Sequence, residues 1–174
     1  MKWLLLFFVS LGIIYYANGA NMDETNLNEL IKNIPDKWDL LEVKSKDSDE
    51  VWFFRKNIGA KTIKANKSLQ TLIYFTIKYK PKDNSGLPNE HDTNVLFDFE
   101  ENIIPKIEKN AICIHVASVM KSGVKDHLYY VSNPDVFLKT ISSYQDHLKE
   151  FSISIEKQDD PEWKIYDDFP ERAN

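Results

Sequence analysis

Ala111-Ile112-Cys113-Ile114-His115-Val116-Ala117-Ser118-Val119-Met120, then Lys121-Ser122-Gly123, then Lys125-Asp126-His127-Leu128-Tyr129-Tyr130-Val131, is the stretch whose reading decides the fold. The first run is the most apolar segment after the N-terminal leader-like run, the second is aromatic, and the residues between them have turn chemistry. The pattern predicts two adjacent strands, with 111–120 central in a sheet. Upstream, Leu72 to Lys80 alternates, with Ile73, Phe75, Ile77 and Tyr79 on one face and Leu72, Tyr74, Thr76 and Lys78 on the other. Asp83-Asn84-Ser85-Gly86 breaks that strand. A helix follows from Glu90, capped by Asn89 and burying Leu96, Phe99, Ile103 and Ile107. Pro105 interrupts the stripe and predicts a kink or an early end there.

Downstream, Asn133-Pro134 starts a second helix, because Asn caps and Pro occupies a position that needs no amide donor. Phe137, Ile141, Tyr144 and Leu148 form its buried face. Phe151, Ile153 and Ile155 then alternate with Ser152, Ser154 and Glu156, as in an edge strand with one wet face. The order from Leu72 to Glu156 is strand, helix, strand, strand, helix, strand. That predicts an α+β fold, a ferredoxin-like two-layer sandwich in which both helices cover one face of an antiparallel sheet. The opposite face is expected to be open for contact. Before this core, Asp23 to Ile34 carries Leu27, Leu30, Ile31 and Ile34 at helical spacing and stops at Pro35, and Lys44 to Glu50 reads as a loop or hairpin tip. Val51–Lys56 and Lys61–Asn66 read as extra strands around Asn57-Ile58-Gly59.

The chain has 174 residues, enough for one domain with a sizeable core. With 43% hydrophobic and 13% aromatic residues it is neither disordered nor fibrous. A formal charge of −5 argues against a nucleic-acid partner. Met1-Lys2-Trp3, the apolar run Leu4 to Tyr16, and the small residues Ala17-Asn18-Gly19-Ala20 form a signal-peptide pattern, with cleavage after Gly19 or Ala20. The apolar run is too short to span a bilayer comfortably, and no later segment is suited to it. The expected organisation is a signal peptide at 1–20, a helix and loop extension at 21–50, and an α+β domain at 51–170, exported to a periplasm or the medium. The single cysteine, Cys113, excludes an internal disulfide and reads as a buried small hydrophobe. Asn66-Lys67-Ser68 matches a glycosylation sequon, which matters only in a eukaryotic secretory pathway.

In the tail Asp159-Asp160-Pro161-Glu162-Trp163-Lys164-Ile165-Tyr166, Asp160 is placed to cap a short helix with Pro161 at its first position. Trp163 and Tyr166 then clamp that turn onto the sheet. The competing reading makes Asp159, Asp160 and Glu162 an acid cluster. Gly86-Leu87-Pro88 before an acid-bearing helix, the aromatic strand Lys125 to Val131, and the ending Asp160-Pro161-Glu162-Trp163-x-x-Tyr166 with Pro170 resemble the bacterial domain of unknown function 695 (DUF 695) family over about Val51 to Pro170. The resemblance implies a ferredoxin-like sheet related to small ribonuclease-regulator domains. It implies no activity, and a cytosolic ribonuclease role fits poorly with a signal peptide.

His91, His115, His127 and His147 lack metal-site spacing, and His115 shares a strand face with Cys113 as a core pair. No phosphate-binding or nucleophile-elbow motif occurs. No catalytic, cofactor-binding or metal-ligating residue is assigned, and no cofactor is expected. Charge is segregated instead. Arg55, Lys56, Lys61, Lys64, Lys67, Lys78, Lys80 and Lys82 occur without an intervening acid. Asp83, Glu90, Asp92, Asp98, Glu100 and Glu101 follow without a base, and residues 156–171 are acidic. Either these blocks pair with one another, or the basic strands, with Phe53, Phe54, Tyr74 and Tyr79, form a docking face centred on Lys61, Lys64 and Lys67 for an acidic protein or anionic glycan. The leading expectation is a non-enzymatic exported binding or regulatory module that uses the sheet face or the Phe151–Glu156 edge. The alternative is a small hydrolase using Glu100, Glu101, Asp159 or Asp160, which requires the tail to fold over the N-terminal end of the first long helix.

Overall fold

The computed structural model describes residues 24–172, so the expected signal segment at 1–20 lies outside the described residues. Six strands form one antiparallel sheet in the order β1-β2-β4-β5-β3-β6. They are β1 (Trp38–Lys44), β2 (Val51–Asn57), β3 (Thr71–Lys78), β4 (Cys113–Lys121), β5 (Val124–Val131) and β6 (Ser152–Asp159). The β4–β5 turn places Ser122 at φ 49° and Gly123 at φ 79°, the two left-handed residues that match a tight hairpin to strand twist.

Helices α2 (Glu90–Asp98), α3 (Ile104–Ala111) and α4 (Pro134–Ser142) cover one face. The expected caps are present: Asn89 accepts from the Asp92 amide, and Asn133 accepts from the amides of Asp135 and Val136. Leu96, Phe99, Ile103 and Ile107 are all buried against Phe75, Tyr129 and Phe137. Pro105 neither ends the helix nor stands in a simple kink. A π-helical segment, Phe99–Ile103, precedes it, and the Ile104 amide bonds back five residues to the Phe99 carbonyl. Pro105 has no amide to offer its own turn, and the widened segment absorbs that loss while realigning the chain into α3.

The other face is not open. Helix α1 (Glu24–Lys32), a 3-10 turn at Ile58–Ile63 and the tail helix α5 (Lys164–Asp168) cover it. Leu27, Ile63, Leu69, Leu72, Ile114, Leu128, Tyr130, Trp163 and Tyr166 form its core. The expected two-layer sandwich is therefore three layers deep, with apolar packing on both sides of the sheet. The second expected extra strand is also replaced. Residues Lys61–Asn66 fall in and after the 3-10 turn, whose start is capped by Asn57 Oδ1 accepting from the Ala60 amide. Gly59 passes so close to the Pro35 carbonyl that any side chain there would collide with it. The additional strand is β1, paired with β2 along its full length from Trp38↔Asn57 to Lys44↔Val51.

Candidate functional site

Alternation along β5 sends Lys125, His127 and Tyr129 beneath the α2–α3 layer, and Leu128 and Tyr130 to the tail side. On β4 the register shifts between His115 and Ala117, so Val116 and Ala117 both join the tail-side core. This bulge re-aims the strand, and His115 and Ser118 come to lie on the helix side. On β2, Arg55 pairs with Ser118 and shares that side, while Lys56 points to the tail.

These side chains converge on Glu100, carried by the π-helical segment. Arg55 Nη1 lies 3.1 Å from Glu100 Oε2, and Lys125 Nζ lies 2.8 Å from Oε1. Glu100 and Lys125 side chains are each 7% exposed, whereas Arg55 is 37% exposed and lies over the Trp38 ring at 4.8 Å. Burial pulls the Lys125 ammonium below its ordinary range, against the opposing pull of Glu100. Behind them His127 Nδ1 and His115 Nε2 meet at 3.2 Å. Burial first, then the fields of Arg55 and Lys125, push His115 down to about 3. His127 is also pushed down, by burial, by His115 and by the same two cations. Both rings are thus neutral near pH 7. Among the described residues, the buried His127 Nε2 and Tyr129 hydroxyl have no hydrogen-bond partner.

Arg55, Glu100 and Lys125 form the base of a cavity of about 630 Å³. Leu40, Phe53, Leu87, Pro88, Phe97 and Met120 make its apolar walls, Ser118 joins Arg55, Glu100 and Lys125 at the base, and Lys82, Thr93 and Glu101 line the remainder. Two cations share one carboxylate there, so the base carries an excess positive charge.

The acids expected to act together are separated. Glu100 and Glu101 line this cavity, but Asp160 lies across the sheet beneath Tyr130. The tail packs on the second face and not over the start of α2, so a site combining Glu100 with Asp160 does not form. Asp160 is a structural cap, accepting from the amides of Lys164 and Ile165 and from the Tyr130 hydroxyl. Its helix starts at Lys164 and not at Pro161, because Trp163 adopts a left-handed conformation with φ 56°. Cys113 is buried as expected, with its thiol 3.8 Å from the Ile107 carbonyl, but the core partner of His115 is His127.

The first half of the basic block pairs with the acidic blocks. Lys61 and Lys56 meet Glu171, Lys64 meets Asp167, and Arg55 meets Glu100. The aromatic residues expected beside the lysines disperse: Phe53 lines the cavity, Phe54 packs on Phe169, and Tyr79 is buried. The sequence reading missed the Arg55–Glu100–Lys125–His127 cluster. Its available signal was Lys125 and His127 on one face of an otherwise aromatic strand, each needing a partner once buried.

The family model described as Family of unknown function (DUF695) matches residues 36–169, and no curated protein and no solved structure matches the chain. The match starts ahead of Val51, taking in β1 and its hairpin with β2, and ends within the tail that seals the second face. From Asp36 to Phe169, therefore, the chain belongs to the DUF695 family of unknown function.

Proposed function

We propose that this protein is an exported binding module and that the cavity between α2 and strands β2, β4 and β5 holds a small amphipathic anion, such as a carboxylate on an apolar body. The observation that carries this reading is the base of the cavity, where Arg55 and Lys125 converge on Glu100 alone beneath apolar walls. A ligand carboxylate supplies the second anion. Beside the buried Glu100 and Lys125 side chains, charge-assisted bonds from a guanidinium and an ammonium are stronger than on an open surface. The volume lies in the range typical of small-molecule pockets. The exposed Phe97 ring, with Lys125 Nζ 5.9 Å from its centre, gives the apolar body a surface to cover the ion pair. Export is supported by the Leu4–Tyr16 apolar run followed by Ala17-Asn18-Gly19-Ala20. A ferredoxin-like core is supported by the antiparallel neighbours β6-β3-β5-β4, with helices in both crossovers.

Calorimetric titration with decanoate, decylamine and decanol tests the proposal. Decanoate should bind saturably and more tightly than either analogue, and Arg55→Ala and Lys125→Met should each weaken it at least tenfold. Equal affinity for the three compounds, or binding indifferent to both substitutions, overturns it.

A further inference from the structure

A second cavity of about 310 Å³ lies between α1, the connection to β1, α3 and β4, and a carboxylate opens into it. Its apolar lining comes from Ile31, Ile34, Trp38, Pro105 and Ile114, and its charged lining from Lys32, Asp36, Glu108 and Lys109. One oxygen of Glu108 accepts from the His115 amide at 2.7 Å. Among the described residues, the ion pairs that other acids make with lysine, arginine or histidine do not include Glu108. The neighbouring charges do not substitute for a partner. Lys32 is held by Glu29 at 2.6 Å, and Asp36 accepts from the Trp38 indole at 3.0 Å. Lys109 follows Glu108 along α3 and lines the same cavity without pairing to it. From β4, Cys113 and His115 face Glu108, and neither brings a cation: burial raises the thiol and keeps the imidazole neutral.

We propose that this cavity is a binding site for a small organic amine, whose ammonium pairs with the free oxygen of Glu108 while its apolar body packs against Trp38, Ile31 and Ile114. The site is distinct from the anion cavity and has the opposite charge preference. The half-buried Glu108 carboxylate takes one amide donor, from His115, and an ammonium in the cavity adds an opposing charge and further donors. Burial pushes the Glu108 carboxyl up to about 7, and the His115 amide offsets only part of that rise. An arriving ammonium therefore converts a partly protonated acid to the carboxylate, and a proton leaves to solvent as the ion pair forms. The modest volume suits one ring with a short chain.

The test is titration of the full chain at pH 6.5 with 2-phenylethylamine, 2-phenylethanol and 3-phenylpropionate, in two buffers of different ionisation enthalpy. The amine should bind, the alcohol at least tenfold more weakly, and the propionate not at this site. The heat of amine binding should depend on buffer, which reads out the released proton. Glu108→Gln should weaken the amine at least tenfold and abolish the buffer dependence. Ile31→Phe, which fills the cavity from α1 without altering the carboxyl, should block binding while the thermal transition persists. Equal binding of amine and alcohol, retention of affinity in Glu108→Gln, or no amine binding by the folded wild type overturns the proposal. Each result is independent of whether decanoate occupies the Arg55–Lys125 cavity.

Discussion

The indole of Trp163 lies flat against the phenol ring of Tyr130, with centroids 3.8 Å apart and planes 2° from parallel. Both rings are fully buried, and each is anchored at its polar end: Trp163 Nε1 donates to the Leu69 carbonyl at 2.8 Å, and Tyr130 donates to Asp160 at 2.6 Å. The stack joins the tail to the sheet. Trp163→Ala should cost about 3–5 kcal/mol, from lost burial and the space left behind. Trp163→Phe should cost less, because a ring still covers Tyr130. Urea unfolding measures both, and a loss under about 1 kcal/mol for the alanine variant contradicts this account.

Asp160 couples the same junction to pH. Burial raises its carboxyl, but the bonds from Tyr130, Ile165 and Lys164 together outweigh that and hold it below the usual carboxylate range. A carboxyl depressed in the folded state stabilises above its unfolded value, and the gain disappears as pH falls through the folded value. Asp160→Asn should lower stability by about 2 kcal/mol at pH 7. The gap between variant and wild type should narrow below about pH 4. Melting temperatures from pH 2 to 7 check this, and a constant gap refutes it.

Glu108 has the opposite sign. Its carboxyl is raised from 4.5 to about 7, so between those values the folded protein keeps a proton that the unfolded chain releases. Stability therefore falls as pH rises through that window and levels off above it. Glu108→Gln should match wild type near pH 4.5 and exceed it by up to about 3 kcal/mol at pH 8. Denaturant unfolding at the two pH values decides the point, and a variant weaker than wild type at pH 8 would sink it.

Glu100 holds two cations, one of them buried. Glu100→Ala should cost about 3–5 kcal/mol, because Lys125 is left without its counter-charge. Without Glu100 the Lys125 ammonium is pulled down further, so the variant should gain stability relative to wild type as pH rises toward the ordinary lysine value. Glu100→Ala combined with Lys125→Met should recover most of the loss. A double variant as unstable as the sum of its single changes would show that the pair is not coupled.

Local chemistry made much of the fold legible. Asn89 and Asn133 cap the helices expected of them, and the alternation of Ile73, Phe75 and Ile77 assigned their face correctly. The second layer was harder to see because the segments covering it are short and separated in sequence: α1, the turn after Asn57, and the tail. A signal was nonetheless present, since Leu72, Ile114, Leu128 and Tyr130 are apolar on the face expected to be open. Lys61–Asn66 reads as a strand in the sequence, but the Asn57 cap and the close passage of Gly59 under Pro35 fix a 3-10 turn. The cavity base was illegible for a different reason. Arg55, Glu100 and Lys125 meet only after the strand order is set and the π-helical segment has carried Glu100 over β5.

The tail binds the first strands as well as the sheet centre. Tyr166 donates to the Asn57 carbonyl, and Lys56 donates to the carbonyls of Asp167 and Phe169. During synthesis, β1 and β2 leave the ribosome long before the residues that cover Tyr130, Leu128 and Leu72. The nascent chain therefore leaves the part of that face around Tyr130 uncovered until residues 160–169 have emerged, a window in which a holding chaperone has the most to do.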